Sequence, residues 1–139
     1  MKAYLDSSVV LRTIFGEPNA LKSPKSLEFT VAADILKVEC LRTVDRMRHA
    51  LRLPDEVVSE RSALLHEALK TIRFAKLTDQ ILERAGQPFP TPLGTLDALH
   101  LSTALTWQAR QREELTFLTH DEQLGRAARA MGFTVLGCT

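Results

Sequence analysis

Four acidic residues stand where ordinary surface carboxylates are not expected. Asp6 follows directly on the apolar run Lys2–Leu5, and Asp121 follows Leu118-Thr119-His120. Glu39 interrupts Ile35-Leu36-Lys37-Val38-Glu39-Cys40-Leu41, and Asp97 interrupts Leu96-Asp97-Ala98-Leu99-His100-Leu101. On a helical wheel Glu39 borders Leu36 and Cys40, while Asp97 shares its face with Leu101 one turn on and Ala104 two turns on. A carboxylate in such surroundings must be paired, neutralised or bound to a metal. Several of them near one site repel one another, so some hold protons at neutral pH unless a divalent cation removes the penalty. Oxygen-only donors favour Mg2+ or Mn2+ over zinc. Such an ion lowers the pKa of bound water and stabilises charge on a phosphodiester during in-line attack, the carboxylates positioning metal and water rather than attacking covalently.

Each acid also has a plainer reading. Asp6 can cap a helix after a strand, Glu39 can be a solvated helix residue, Asp97 can complement a helix dipole near its start, and Asp121 can be a first-turn acid. What favours chemistry is convergence, which depends on the elements that carry them. Lys2–Leu5 reads as a first strand, with Ser7 or Ser8 capping a helix to about Ile14 that Gly16-Glu17-Pro18-Asn19 breaks. Residues 20–26, with Pro24 and two serines, read as loop, and Phe29–Ala32 as a second strand. Asp34 looks like an N-cap for a helix whose apolar residues fall at 36, 40, 44, 47 and 51. Pro54 opens another helix, to about Lys70. Ile72–Leu77 reads as a third strand, followed by a short helix capped by Thr78 or Asp79 and running to about Ala85, then a proline-rich connection. Thr95 begins an apolar helix to about Ala109, Leu115–Leu118 is a fourth strand, and Thr119 or His120 starts a last helix through Met131 that Gly132 caps. Phe133–Leu136 is the final strand.

Strands alternating with helices predict an α/β fold: three layers, α/β/α, around a central, mostly parallel sheet of four to five strands. In such sheets sites form beyond the carboxyl ends of the strands. That rule brings Asp6 and Asp121 to the same rim. Periodicity alone does not bring Glu39 and Asp97 beside them.

Composition narrows the class. The 139 residues suit one domain, spanning 1–139. No apolar run approaches a membrane span, and Met1-Lys2-Ala3-Tyr4-Leu5-Asp6 turns acidic too soon for a signal peptide, so a soluble cytoplasmic protein is expected. A net charge of +1 gives no global basic field, so a nucleic-acid partner must be held by local basic patches or through metal. Cys40 and Cys138 form no metal-binding or disulfide pattern; Cys40 reads as core.

Four segments together resemble the PIN domain, and within it the VapC-like toxins of toxin–antitoxin pairs: Tyr4-Leu5-Asp6-Ser7-Ser8, Leu36-Lys37-Val38-Glu39-Cys40-Leu41-Arg42, Leu96-Asp97-Ala98-Leu99-His100-Leu101-Ser102-Thr103-Ala104, and Leu118-Thr119-His120-Asp121 followed by Leu124, Ala127, Ala128 and Gly132-Phe133. The resemblance covers almost the whole chain. It implies that Asp6, Glu39, Asp97 and Asp121 form an acidic catalytic pocket that holds Mg2+ or Mn2+, the fourth being the most variable in role. Thr119 matches a supporting hydroxyl, and Ser7 would contribute a hydroxyl or backbone N–H beside Asp6. The resemblance further implies cleavage of cellular RNA, a VapB-like antitoxin that wraps the toxin and blocks the pocket, and a homodimer. Two departures stand out. The stretch between Asp6 and Glu39 is short and contains Pro18 and Pro24, which bears on partner geometry; Gly94 stands where relatives often carry a basic residue.

Arg42, Arg46, Arg48 and Arg52 cluster on the Glu39 helix, where Arg42 and Arg46 can meet RNA phosphates or an antitoxin carboxylate, or simply pair with Asp45 and Asp55. Arg110, Arg112, Arg126 and Arg129 read as dispersed surface charge, His100 as a packed core histidine, and His120 as a loop or capping residue. Competing classes fit less well. A phospho-accepting receiver module needs paired acids after its first strand and a late lysine, but Ser7-Ser8 follow Asp6 and no lysine follows Lys76. An aspartyl phosphatase needs an acid where Ser8 stands. A PIN-like binding module without nuclease activity is the remaining alternative, against which all four acids are present.

Overall fold

The structure, a computed structural model, describes residues 1–23 and 25–138. Pro24, expected in the loop, lies outside the described residues. Among the described residues the elements are β1 (Lys2–Leu5), α1 (Ser7–Ile14), β2 (Phe29–Ala33), α2 (Ile35–Ala50), α3 (Asp55–Lys70), β3 (Ile72–Ala75), α4 (Asp79–Ala85), α5 (Thr95–Gln111), β4 (Thr116–Leu118), α6 (Glu122–Ala130) and β5 (Val135–Leu136). The strands form one sheet in the order β3-β2-β1-β4-β5, and every pairing is parallel. The chain therefore winds outward from β1 to β3, crosses back over the sheet through α4 and α5, and winds the other way from β4. The reversal falls between β1 and β4, where the connections leave toward opposite sides, the position at which open parallel sheets place their sites.

The short strands are apolar on both faces, as a covered parallel sheet requires. Alternation along β1 sends Ala3 and Leu5 into one core and Tyr4 into the other. The first core joins Val9, Val10 and Ile14 of α1, Leu36, Cys40 and Val44 of α2, and Leu65 of α3. The second joins Leu101 and Ala104 of α5 with Leu124, Ala127 and Ala128 of α6, around Phe117 and Phe133. These are the three layers the sequence predicts.

Local differences from the sequence reading have local causes. Asp34 holds the N-cap position of α2 as expected, but in helical conformation (φ −52°, ψ −34°) and with no capping bond from its side chain. Asp6, not Ser7 or Ser8, holds the N-cap position of α1. Pro54 takes the N-cap position of α3 rather than its first turn. Leu51, counted in the apolar stripe of α2, falls at the C-cap and is exposed, whereas Leu36, Cys40 and Val44 are buried as the spacing requires. The third strand stops at Ala75, whose carbonyl accepts the Asp34 N–H at 3.0 Å. The last helix begins two to three residues later than expected, because Asp121 rather than Thr119 or His120 is its N-cap.

The C-terminal strand fastens the β4 rim. The Thr119 N–H donates to the Leu136 carbonyl at 3.0 Å. Gly137 then turns with φ +105°, and a Cβ there would stand 2.3 Å from the Thr119 carbonyl oxygen. Only glycine meets both demands, the left-handed φ and the close approach. Gly137→Ala should destabilise the protein by about 1–3 kcal/mol and lower its melting temperature by several degrees in a circular-dichroism melt. An unchanged melt would show that this approach does not hold in solution.

Candidate active site

All four acids are carried to the carboxyl rim of the sheet, each by a different element. Asp6 ends β1, Glu39 lies in the second turn of α2, Asp97 in the first turn of α5, and Asp121 is the N-cap of α6. Their charges are coupled. Asp97 feels Asp121 and Glu39, and Asp6 feels Asp97. The two acids that periodicity could not place thus join the two that the rim rule brings together.

Asp6 is the most constrained. It is 4% exposed, and burial pushes its pKa up to about 6; hydrogen bonds from Ser8 and Thr119 and the charge of His100 oppose that shift, and Asp97 adds to it. Although Asp6 occupies a cap position, its carboxylate makes no capping bond to α1. Instead its Oδ1 accepts the Ser8 hydroxyl at 2.6 Å. Ser8 Oγ also accepts the His120 N–H at 2.9 Å and lies 3.4 Å from Thr119 Oγ1. The hydroxyl that Asp6 accepts is therefore that of Ser8, one residue beyond Ser7, which the sequence reading named for a hydroxyl or a backbone N–H. The α-helical turn accounts for the difference, since it brings the second residue after a cap back over it. Thr119 is fully buried, and its Oγ1 accepts the Asp121 N–H at 3.0 Å, so it braces two of the acids.

The remaining carboxylates are held in different ways. Asp97 is half-buried, and its pKa is raised, first by burial and then by Asp121. Its place in the first turn of α5 opposes that rise through the helix dipole. Asp121 Oδ1 accepts the Leu124 N–H at 2.9 Å as a true cap. Glu39 Oε1 lies 2.5 Å from Nε2 of His100. His100, expected to be packed core, is indeed 1% exposed, but it also touches an acid of the site. Its Nδ1 lies 2.7 Å from the Tyr4 hydroxyl, which accepts the Ala33 N–H at 3.2 Å. The sequence signal for this role was available: Asp97 and His100 are three residues apart on one helix, hence on adjoining positions of one face.

His120 is a clasp. Because a carbonyl can only accept, its Nδ1–H donates to the Gly137 carbonyl at 2.8 Å, and Nε2 accepts the Leu21 N–H at 3.1 Å. It thereby ties the loop after α1 and the C-terminal turn to the rim. Arg42 and Arg46 lie on the exposed side of α2, one and two turns beyond Glu39. Arg42 pairs with Asp45 at 3.1 Å, and Arg46 donates to the Thr43 hydroxyl at 3.0 Å.

The donor set suits a hard divalent cation. Four carboxylates and the Ser8 and Thr119 hydroxyls offer oxygen alone, and the burial-raised Asp6 marks a charge that its surroundings leave under-compensated. The side chains do not lie as a finished cup, however. Among the described residues no three His, Cys, Asp or Glu side chains stand close enough to clasp an ion as positioned. One oxygen of Glu39 contacts His100, and one oxygen of Asp121 accepts the Leu124 N–H.

A five-strand parallel sheet, reversed at β1/β4 and lined there with acids drawn from both helical layers, defines a three-layer α/β protein organised around one anionic rim. Comparison with known proteins gives its family: the PIN domain model matches residues 3–130, and the chain belongs to that family. It is similar to the protein named Ribonuclease VapC46 of Mycobacterium tuberculosis (strain ATCC 25618 / H37Rv), 29% identical over 137 residues that cover 96% of this chain and 95% of that protein. It is likewise similar to Ribonuclease VapC47 of Mycobacterium tuberculosis (strain CDC 1551 / Oshkosh), 29% identical over 133 residues, 94% of this chain and 92% of that one. Two solved structures share the fold. A chain of a toxin-antitoxin complex from Klebsiella pneumoniae superposes with a TM-score of 0.58 at 18% identity, covering 99% of this chain and 95% of that one. A chain of VapBC2 from Rickettsia felis, bound to a DNA fragment from their promoter, gives 0.60 at 14% identity, covering 97% of each.

The electrostatics sets a pH dependence. Asp6 holds its proton to about pH 6 when folded but releases it near 3.8 when unfolded. A raised carboxylate pKa leaves folding unpenalised below the unfolded value; the penalty grows as pH rises through the folded value, reaching about 3 kcal/mol in the metal-free protein. Asp6→Asn should therefore gain melting temperature relative to the metal-free parent as pH rises from 4 to 7, and Asp97→Asn should melt above the parent at pH 7. Thermal melts across that range check this, and a parent-to-Asp6→Asn difference that stays flat would refute the buried-charge account.

Proposed function

We propose that residues 1–139 act as one PIN domain, a divalent-metal-dependent endoribonuclease that serves as the toxin of a toxin–antitoxin pair. One observation carries this reading: acids from four separate elements converge on a single rim, one of them so buried that its pKa rises to about 6. Such crowding is costly for a structural role and useful for binding a cation. The names of the two relatives, both ribonucleases, support RNA as the substrate. The fold shared with toxin–antitoxin complexes supports an antitoxin as partner.

In this reading Asp6, Glu39, Asp97 and Asp121 hold Mg2+ or Mn2+. The bound cation supplies charge neutralisation, Lewis acidity toward the phosphodiester and activation of water for hydrolysis. Ser8 donates its hydroxyl to the Asp6 carboxylate, and Thr119 accepts the Asp121 backbone N–H, which keeps the two acids in register. Arg42 and Arg46, on the face of α2 that carries Glu39, receive RNA phosphates or carboxylates of the antitoxin. Exposed Val38 and Leu41 on the same helix add apolar surface for that protein partner. No helix among the described residues is long and apolar enough to cross a membrane. The protein works in the cytoplasm as a homodimer bound to its VapB-like antitoxin until released.

Purified protein supplied with Mn2+ or Mg2+ should cut RNA into discrete fragments, and chelation should stop it. Asp6→Asn and Asp97→Asn should each reduce cleavage by about 10²-fold or more, the scale on which removal of one preorganised electrostatic group is felt. Expression should arrest growth, and co-expression of the neighbouring antitoxin should restore it. Folded protein that neither cuts RNA nor slows growth would end this interpretation.

A further inference from the structure

The geometry points to Tyr4 and His100 as positioning residues that hold Glu39 toward the acidic rim for metal binding. This rests on the metal-dependent reading above. Glu39 lies on α2, in the helical layer opposite to that of His100, and its side chain is 18% exposed. A long carboxylate at that exposure has rotamers directed into solvent, and each ordered torsion costs entropy on ion binding. His100 prevents that loss. A carboxylate can only accept, so the proton of the 2.5 Å contact belongs to Nε2, and the imidazole donates to Oε1. The other oxygen of Glu39 is left for the ion.

The ring cannot turn to follow Glu39 elsewhere, because its far side is fixed. Nδ1 meets the Tyr4 hydroxyl at 2.7 Å, and that hydroxyl is itself pinned by the Ala33 N–H at 3.2 Å. Tyr4 is fully buried, stacked on Phe117 with centroids 5.1 Å apart and edge-on to His100 at 5.9 Å. The run Ala33–Tyr4–His100–Glu39 thus links β2, β1, α5 and α2, so the sheet itself orients an acid on a helix of the other layer. Supporting partners of this kind orient metal-binding groups, and their removal costs 10–100-fold in affinity.

The test measures Mn2+ affinity by calorimetry on the full chain, with each variant first shown to be folded by circular dichroism. His100→Leu should weaken Mn2+ binding by about 10–100-fold. His100→Gln, which keeps a nitrogen donor near the Nε2 position, should recover part of the loss, and Tyr4→Phe should fall between parent and His100→Leu. In a Glu39→Ala background, His100→Leu should cost no further affinity, because the carboxylate it positions is gone. Unchanged affinity in folded His100→Leu overturns the assignment, as does an equal loss in the Glu39→Ala background, which would mark a merely structural histidine. A parent protein that takes up no Mn2+ overturns both this assignment and the metal-dependent reading. One that binds Mn2+ but leaves RNA intact removes only the nuclease reading, and the positioning role is then decided by the variants' affinities.

Discussion

The arrangement depends on one electrostatic constraint: the carboxylate of Asp6 is taken out of water at the end of the central strand. Burial raises its pKa to about 6, and the two hydroxyls beside it only partly offset the cost. A protein keeps such a group only if something repays the penalty. Around it the structure gathers three further acids, and the charge of Asp97 adds to the cost. Asp97 carries the same mark, raised first by burial and then by Asp121.

The sheet order makes this crowding possible. Because the winding reverses between β1 and β4, α1–α3 cover one face and α5 and α6 the other. Helices of both layers start at the carboxyl rim. Glu39 from one layer meets His100 from the other, and Thr119 and Ser8 bridge β4 to α1. The rim is also where chain ends and loops are secured: His120 holds the Leu21 backbone and the Gly137 carbonyl together. Site and fold therefore share the same hydrogen bonds, and the hydroxyl and imidazole groups that brace the acids also join separate segments of the chain.

Much of this was legible in the residues. Hydrophobic periodicity located the elements because burial on both sheet faces demands apolar strands and striped helices. The rim rule placed Asp6 and Asp121. Errors fell where a single hydrogen bond decides the outcome. Whether Asp6 or a following serine occupies the cap position of α1, or Ser7 or Ser8 reaches the carboxylate, depends on backbone angles that residue type does not specify. His100 read as core because an apolar run surrounds it, and it is core by exposure; its second role lies in a contact with a residue 61 positions away in the chain.

The amino-acid sequence by itself determined the α/β/α architecture, the apolar stripes and the identity of the unusual acids, because these follow from local periodicity and from the cost of charge among apolar neighbours. Tertiary structure alone decided that Glu39 and Asp97 share the rim with Asp6 and Asp121, that Ser8 and Thr119 brace them, and that Tyr4 and His100 connect the two layers. Those facts concern distances between segments remote along the chain. They are set by how the helices pack across the sheet, which no local pattern encodes.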